Sequence, residues 1–400
     1  MAALLLMTTA CGGQGNEQDA QAGEGDTGPI RIGAAIAETG KYSVEGRGLR
    51  NGYDMWVDMV NEQGGIDVCG TKRPVEMVYY DDQSSPEAAA QLTERLISED
   101  DVDFLFGPYS SGLTMATSAI AERHGVINMS GGGASEDIFN RGFKYVFGLA
   151  TPTEDYTAAT LEALQAAGAE TIGVVHIDDA PMTSVAEGTQ ATADELGMEI
   201  VAFETVPQEA DYTAAVQRVA QADPDVFVGA GAFQSALNFT RVAEQLAFRP
   251  DYMVLVNGPA DPQFIEELGA SAEGIIGPTQ WHRSAPFEGP FFGTAEEYAA
   301  LYEEKYGSEP PYVATMGTGS GVALQLAIEE ACSTDSDEVR QALLDMETET
   351  VLGPVDFTET GINENKPMPG IQIQNGQTVV VAPLPDDATW QLQKYSEAGQ

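Results

Sequence analysis

The 400-residue sequence predicts an α/β protein with two successive parallel sheets, one to each lobe. Three observations carry that expectation. Short apolar segments rich in Ile, Val and Phe alternate with amphipathic helical stretches, the pattern of right-handed βαβ units. The alternation halts at Ala150, Thr151 and Pro152 and then begins again. The late stretch IQIQNGQTVVVA reads as a hairpin turning at Asn375 and Gly376, a pair suited to a type I′ turn.

In chain order, IRIGAAIA (30–37) reads as a buried strand, followed by the loop ETGKYSVEG. A helix over 47–63 is marked by Leu49, Tyr53, Trp56, Val57 and Val60, and Gly64 and Gly65 close it. A strand over 75–80 ends at Asp81 and Asp82, and Pro86 opens a helix to Ser98. DFLFGPYSSG (103–112) is the centre of the first half: an apolar strand stopped by Gly107 and Pro108, then Tyr109, Ser110 and Ser111 ahead of an amphipathic run. Two hydroxyls at a helix start beyond a strand's carboxyl end can hold a small anion without a cationic side chain, and Ser is equally the usual N-cap. A strand over 126–129, the loop SGGGAS and a strand over 145–149 complete this half.

The second half reads as a helix over 153–167 and strands over 171–177, 199–206, 226–230 and 252–256. Helices over 182–196, 211–221 and 234–246 separate these strands. A strand over 274–280 leads into the aromatic loop WHRSAPFEGPFFG. Helices over 294–306, 312–331 and 336–345 then precede the hairpin.

Lys plus Arg number 18 against 63 Asp plus Glu, a net charge of −45, which makes nucleic acid and anionic lipid poor partners. No apolar run is long enough to span a bilayer. The first eleven residues, MAALLLMTTAC, resemble the end of a bacterial lipoprotein signal. Residues 1–11 then form a signal remnant, Cys11 is the lipidated residue and 12–28 are a flexible tether. The membrane is reached only through that lipid anchor, on the outer side of the cell membrane. An exported location permits a disulfide between Cys69 and Cys332, whose spacing is not of a metal-binding kind.

Catalytic patterns are missing. His124, His176 and His282 show no metal spacing, and VFVGAGAFQ carries Gln234 where a dinucleotide fingerprint needs its third Gly. GTGSG (317–321) sits in a helical context and reads as close helix packing. The expectation is a protein without cofactor or metal that is not an enzyme.

Four segments together resemble one family. IRIGAAIAETGKYSVEGRGLRNGYDMWVDMVNEQGGI, VYYDDQSSPEAAAQLTERLI, FGPYSSGLTMATSAIAERHGVINMSGGGAS and YGSEPPYVATMGTGSGVALQLAIEEA are similar to the branched-chain amino-acid (Leu/Ile/Val-binding) type of ABC-transporter periplasmic solute-binding protein. The resemblance implies two Rossmann-like lobes joined by three crossover strands, the type I periplasmic binding protein fold. Chain order assigns 30–150 plus 281–353 to the N-terminal lobe and 151–280 plus 354–390 to the C-terminal lobe. It further implies a small amino acid or carboxylic acid, aromatic ones included, trapped between closing lobes and passed to a membrane permease.

The family's carboxylate-holding groups fall on Ser110, Ser111, Gly132, Gly133 and Ala134, with Ser135 able to supply a hydroxyl beside Ala134. Ala260 stands where amino-acid binders commonly place a Glu for the ligand ammonium, and Asp261 is the available substitute. Tyr42, Tyr109, Phe233 and Trp281 are candidate cleft walls. The alternative is a receptor or regulator component responsive to amides or amino acids.

Overall fold

A computed structural model describes residues 28–207, 211–383 and 391–398. The expected signal remnant, tether and lipidated Cys11 lie outside the described residues, apart from Gly28.

Five parallel strands form the first sheet, in the order Val75–Asp81, Ile30–Ile36, Phe104–Phe106, Asn128–Ser130 and Val146–Gly148. Ile30–Ile36 is flanked on both edges, pairing Ile32 with both Met77 and Phe104. That placement explains its nearly unbroken apolar sequence, since a parallel strand covered on both faces has no solvent side. The second sheet has seven strands, in the order Gln377–Ala382, Gly370–Gln374, Ile276–Pro278, Tyr252–Leu255, Val226–Ala230, Thr171–Ile177 and Glu199–Val206. Its last five members are parallel, and the first two form the hairpin that pairs antiparallel to Ile276–Pro278. Asn375 and Gly376 both have positive φ, 54° and 73°, as a type I′ turn requires.

On the first sheet, helices Ser43–Glu62 and Tyr312–Ala331 pack side by side over one face. Their approach is close because Gly317 and Gly321 face the first helix: a Cβ on Gly321 would lie 2.3 Å from the Trp56 ring. The Trp56 indole donates to Gln325 Oε1 at 3.1 Å, which orients the buried ring. Cys69, in the hairpin Ile66–Val68 with Thr71–Arg73, is disulfide-bonded to Cys332 at the end of the second helix. Tyr53, Trp56, Phe104 and Phe106 form the centre of the core, extended by Tyr298, Tyr302 and Phe357. The second sheet buries Phe227, Phe239 and Leu255 on one face and Ile172, Val174 and Val254 on the other.

The sequence division at 353 needs correction. Val355 and Phe357 belong to the first core, and Gly361 O and Asn363 N bond to Gly148 at the edge of the first sheet. The crossing to the second sheet follows Asn363, because Val355 and Phe357 continue the apolar face begun by Val351. The sequence also misses the helix Pro262–Leu268 and three two-stranded hairpins, all too short for periodicity to register.

Three chain segments pass between the sheets, and hydrogen bonds tie them together. Thr151 N donates to Gln280 Oε1 at 3.1 Å, and Gln280 Nε2 returns to Thr151 O at 3.0 Å. The Lys366 ammonium, only 3% exposed, donates to Thr151 Oγ1, Gln280 O and Gln280 Oε1 at 3.1, 3.0 and 2.9 Å.

Candidate ligand-binding site

The strand Phe104–Phe106 delivers Gly107 to the carboxyl end of the first sheet, where the Tyr53 hydroxyl holds the Gly107 carbonyl at 2.8 Å. Ser110 then takes φ 80°, ψ 145°, a region costly for a residue with a Cβ, and caps the helix Ser111–His124. Its Oγ accepts from Leu113 N at 3.4 Å, and Ser111 Oγ accepts from Ser135 N at 3.3 Å. With both oxygens used as acceptors, neither hydroxyl hydrogen has an acceptor among the described residues. Each is therefore a donor available to a ligand. The N–H groups of Ser111 and Gly112 open the helix and have no partner within it.

The SGGGAS loop lies against this turn. A Cβ on Gly131 would stand 2.4 Å from both Gly107 O and the Tyr53 hydroxyl, and one on Gly132 would stand 2.8 Å from the Tyr109 ring. Glycine is required for so close a backbone approach. Gly133 N donates to Ser130 Oγ at 3.1 Å and Ala134 O accepts from Thr153 N at 3.3 Å. The N–H groups of Gly132 and Ala134 have no acceptor among the described residues, whereas those of Gly133 and Ser135 are occupied.

Tyrosines border the seat. Tyr42 meets Tyr109 edge-to-face, with centroids 5.6 Å apart at 68°. Its loop is fixed by two neighbouring aspartates' turn: Ser84 Oγ accepts from Tyr42 N, and the Asp81 carboxylate accepts from Glu38 N, Thr39 N and Thr39 Oγ1. Burial raises Asp81, yet the bonds from Thr39, Gln83 and Glu38 outweigh it and hold its pKa below the usual carboxylate range. Asp82 goes the other way: fully buried, with Oδ2 unpartnered, it is pushed up to about 6. Tyr312, at the start of its helix, pairs its hydroxyl with that of Tyr109 at 3.1 Å. Tyr156 follows the first crossing; burial pushes its phenol up to about 12, against a bond from the Gln280 amide and helped by Tyr109. The sequence reading passed over Tyr156 and Tyr312. The Pro310-Pro311 pair before Tyr312 marked a helix start and was the available signal.

Across the cleft, Asp261 caps the helix Pro262–Leu268, its carboxylate accepting from Gln263 N at 2.8 Å. Ala260 beside it is exposed. Asn257, with φ 59°, donates to Gly231 O at 3.1 Å and adds a polar group at this strand end that sequence reasoning missed. Phe233 packs on Phe264 in the second core. Trp281 is not a cleft wall: it is 5% exposed, its indole donates to Val351 O at 3.0 Å, and it packs against Tyr298 in the first core. His176 is engaged by Ile177 O and Thr205 Oγ1, and no cluster of three metal-ligating side chains occurs among the described residues. Two cavities of about 340 and 430 Å³ lie at the opposite end of the second sheet, around Thr171 and Tyr252, away from these groups.

A family model of periplasmic binding proteins matches residues 29–378. The chain belongs to the periplasmic binding protein family. Among the relatives of this binding protein, Leu/Ile/Val-binding protein homolog 7 of Brucella abortus (strain 2308) is 26% identical over 376 residues, covering 88% of this chain and 91% of the relative. A putative branched-chain amino acid ABC transporter protein from Silicibacter pomeroyi has a similar fold, with TM-score 0.79, 21% identity and coverage of 92% of this chain and 100% of the other. A solute-binding protein of an ABC transporter from R. palustris, in complex with benzoate, gives TM-score 0.67 at 20% identity, covering 90% and 98%. The fold is the type I periplasmic binding protein fold. Among the described residues no helix is long and apolar enough to cross a membrane.

Proposed function

We propose that this binding protein serves an ABC importer outside the cytoplasm, lipid-anchored through Cys11, and presents a small carboxylic acid or amino acid to a membrane permease. One observation carries the ligand class. Among the described residues, Ser110 and Ser111 offer two hydroxyl donors without acceptors, beside the unpaired N–H groups of Gly112, Gly132 and Ala134, at the positive end of a helix. Such fixed dipoles suit a carboxylate in a chain of net charge −45, where an anion must be held against a repulsive field.

The second lobe favours an acid without an ammonium group. Asp261 already caps a helix, and Ala260 offers no charge. Relatives divide in the same way, one named for Leu, Ile and Val and another holding benzoate. A thermal-shift panel of leucine, phenylalanine, benzoate and their analogues tests the reading. The true ligand at a hundredfold excess over Kd is expected to stabilise the fold by about 2.7 kcal/mol. Ser111→Ala is expected to weaken carboxylate binding roughly ten- to a hundredfold, the loss of a charge-assisted hydrogen bond. Unchanged affinity in that variant, with the fold intact, would remove the carboxylate seat.

A further inference from the structure

We propose that the hydroxyl pair of Tyr109 and Tyr312 reads a hydroxyl group at the far end of an aromatic acid whose carboxylate sits at Ser110 and Ser111. This assignment rests on the carboxylate reading of the same cleft and specifies what the rest of the ligand must be.

The two phenols share one hydrogen bond of 3.1 Å. Whichever of them donates, the other's hydrogen is left over, and no acceptor for it occurs among the described residues. The pair therefore presents one O–H donor and unused lone pairs together, the complement of a ligand hydroxyl that both accepts and donates. Both phenols stay protonated at physiological pH. Burial is the main cause at each, and the nearby Glu45 carboxylate acts in the same direction.

Both are also held rigidly. Pro108 precedes Tyr109, whose ring lies against Gly132 and the edge of Tyr42. Pro311 precedes Tyr312, in the helix packed along Ser43–Glu62. Preorganised groups lose little freedom when they bind, so their hydrogen bonds translate into selectivity.

The spacing follows from covalent structure. Tyr109 adjoins Ser110, so its own side chain runs from the carboxylate seat to the phenol pair. A ligand lying beside it needs about one ring's length between its carboxylate and its second oxygen, the dimensions of a para-hydroxylated benzoic acid. The edge of the Tyr42–Tyr109 pair supplies aromatic contact for that ring. Tyr156, on the far side of the crossing, packs against the core of the second sheet.

Calorimetry with benzoate and 4-hydroxybenzoate, on the wild-type protein and on the double variant Tyr109→Phe with Tyr312→Phe, tests the assignment. The hydroxylated acid is expected to bind about tenfold or more tightly than benzoate to the wild type, as a site built to pair a hydroxyl rejects the analogue lacking it. Removing one phenol leaves the other with an O–H donor and lone pairs, so either single variant is expected to keep part of the ratio. The double variant is expected to bring it close to one with benzoate still bound, which a merely structural tyrosine pair would not do. A wild-type ratio near one, a ratio that survives in the double variant, or failure of both acids to bind would each overturn the assignment. Ser111→Ala separates the two readings: it weakens both acids alike if the carboxylate seat is correct, whatever the phenols do.

Discussion

Lys366 illustrates what one residue contributes at the junction of the lobes. Its ammonium joins Thr151 and Gln280, so all three crossing segments meet at one side chain, with no carboxylate among its partners. Burial pushes its pKa down to about 7. The unfolded chain keeps an ordinary lysine near 10.5, so between about pH 7 and that value the unfolded state binds one proton more. Stability from this group therefore rises with pH across that window, by at most about 1.4 kcal/mol per pH unit. Urea unfolding of the wild type and Lys366→Met at about pH 7 and about pH 9.5 should show the difference between them shifting in favour of the wild type at the higher pH. A pH-independent difference would mean that Lys366 is not neutralised in the fold. Nothing local marked this residue: NENKPMPG reads as a polar loop, and only the convergence of three distant segments buries it.

At the scale of elements, the decisive contact is between helices Ser43–Glu62 and Tyr312–Ala331, whose amino-terminal ends carry Tyr42 and Tyr312 to the cleft. Alanine is the better helix former by up to about 1 kcal/mol, so Gly321→Ala taken alone would stabilise the helix. The tertiary contact outweighs that gain, since the added Cβ would meet the Trp56 ring at 2.3 Å and the ring is held by Gln325. Net destabilisation of about 1–3 kcal/mol is expected from chemical denaturation, and a more stable variant would refute the packing account. The Cys69–Cys332 disulfide anchors the far end of this helix to the hairpin that follows the first, closing a separation of 263 residues. GTGSG was legible as a packing motif because glycines three or four apart share one helix face. Which helix lay opposite was not.

Over the whole molecule, 63 acidic residues face 18 basic ones, and the basic residues are used intensively. Arg283 alone contacts Glu296, Glu303 and Glu309. The uncompensated remainder repels itself in the folded state. Screening shortens from about 10 Å at 0.1 M to about 3 Å at 1 M salt, so Tm is expected to climb between those concentrations of NaCl. A flat or falling Tm would show that self-repulsion does not limit stability. Added chloride would also compete at the proposed carboxylate seat. Ligand titrations are therefore informative at both salt levels.

The sequence by itself determined the elements whose cause is local. Alternating strands and helices announced two parallel sheets, Asn375-Gly376 placed the hairpin, and Ser110-Ser111 after Gly107-Pro108 marked a capped helix start beyond a strand. Residues whose role depends on partners far along the chain were decided by tertiary structure alone. Trp281 left the expected cleft wall because Tyr298 and Val351 offer its ring and indole a buried place. Val355 and Phe357 joined the first core for the same reason, apolar area seeking cover wherever the fold provides it. Tyr109 and Tyr312, 203 residues apart, became a pair only because both stand at amino-terminal helix ends over one sheet edge. Periodicity and turn chemistry act over a few residues, whereas the complementarity of surfaces that makes a cleft appears only once the chain has folded.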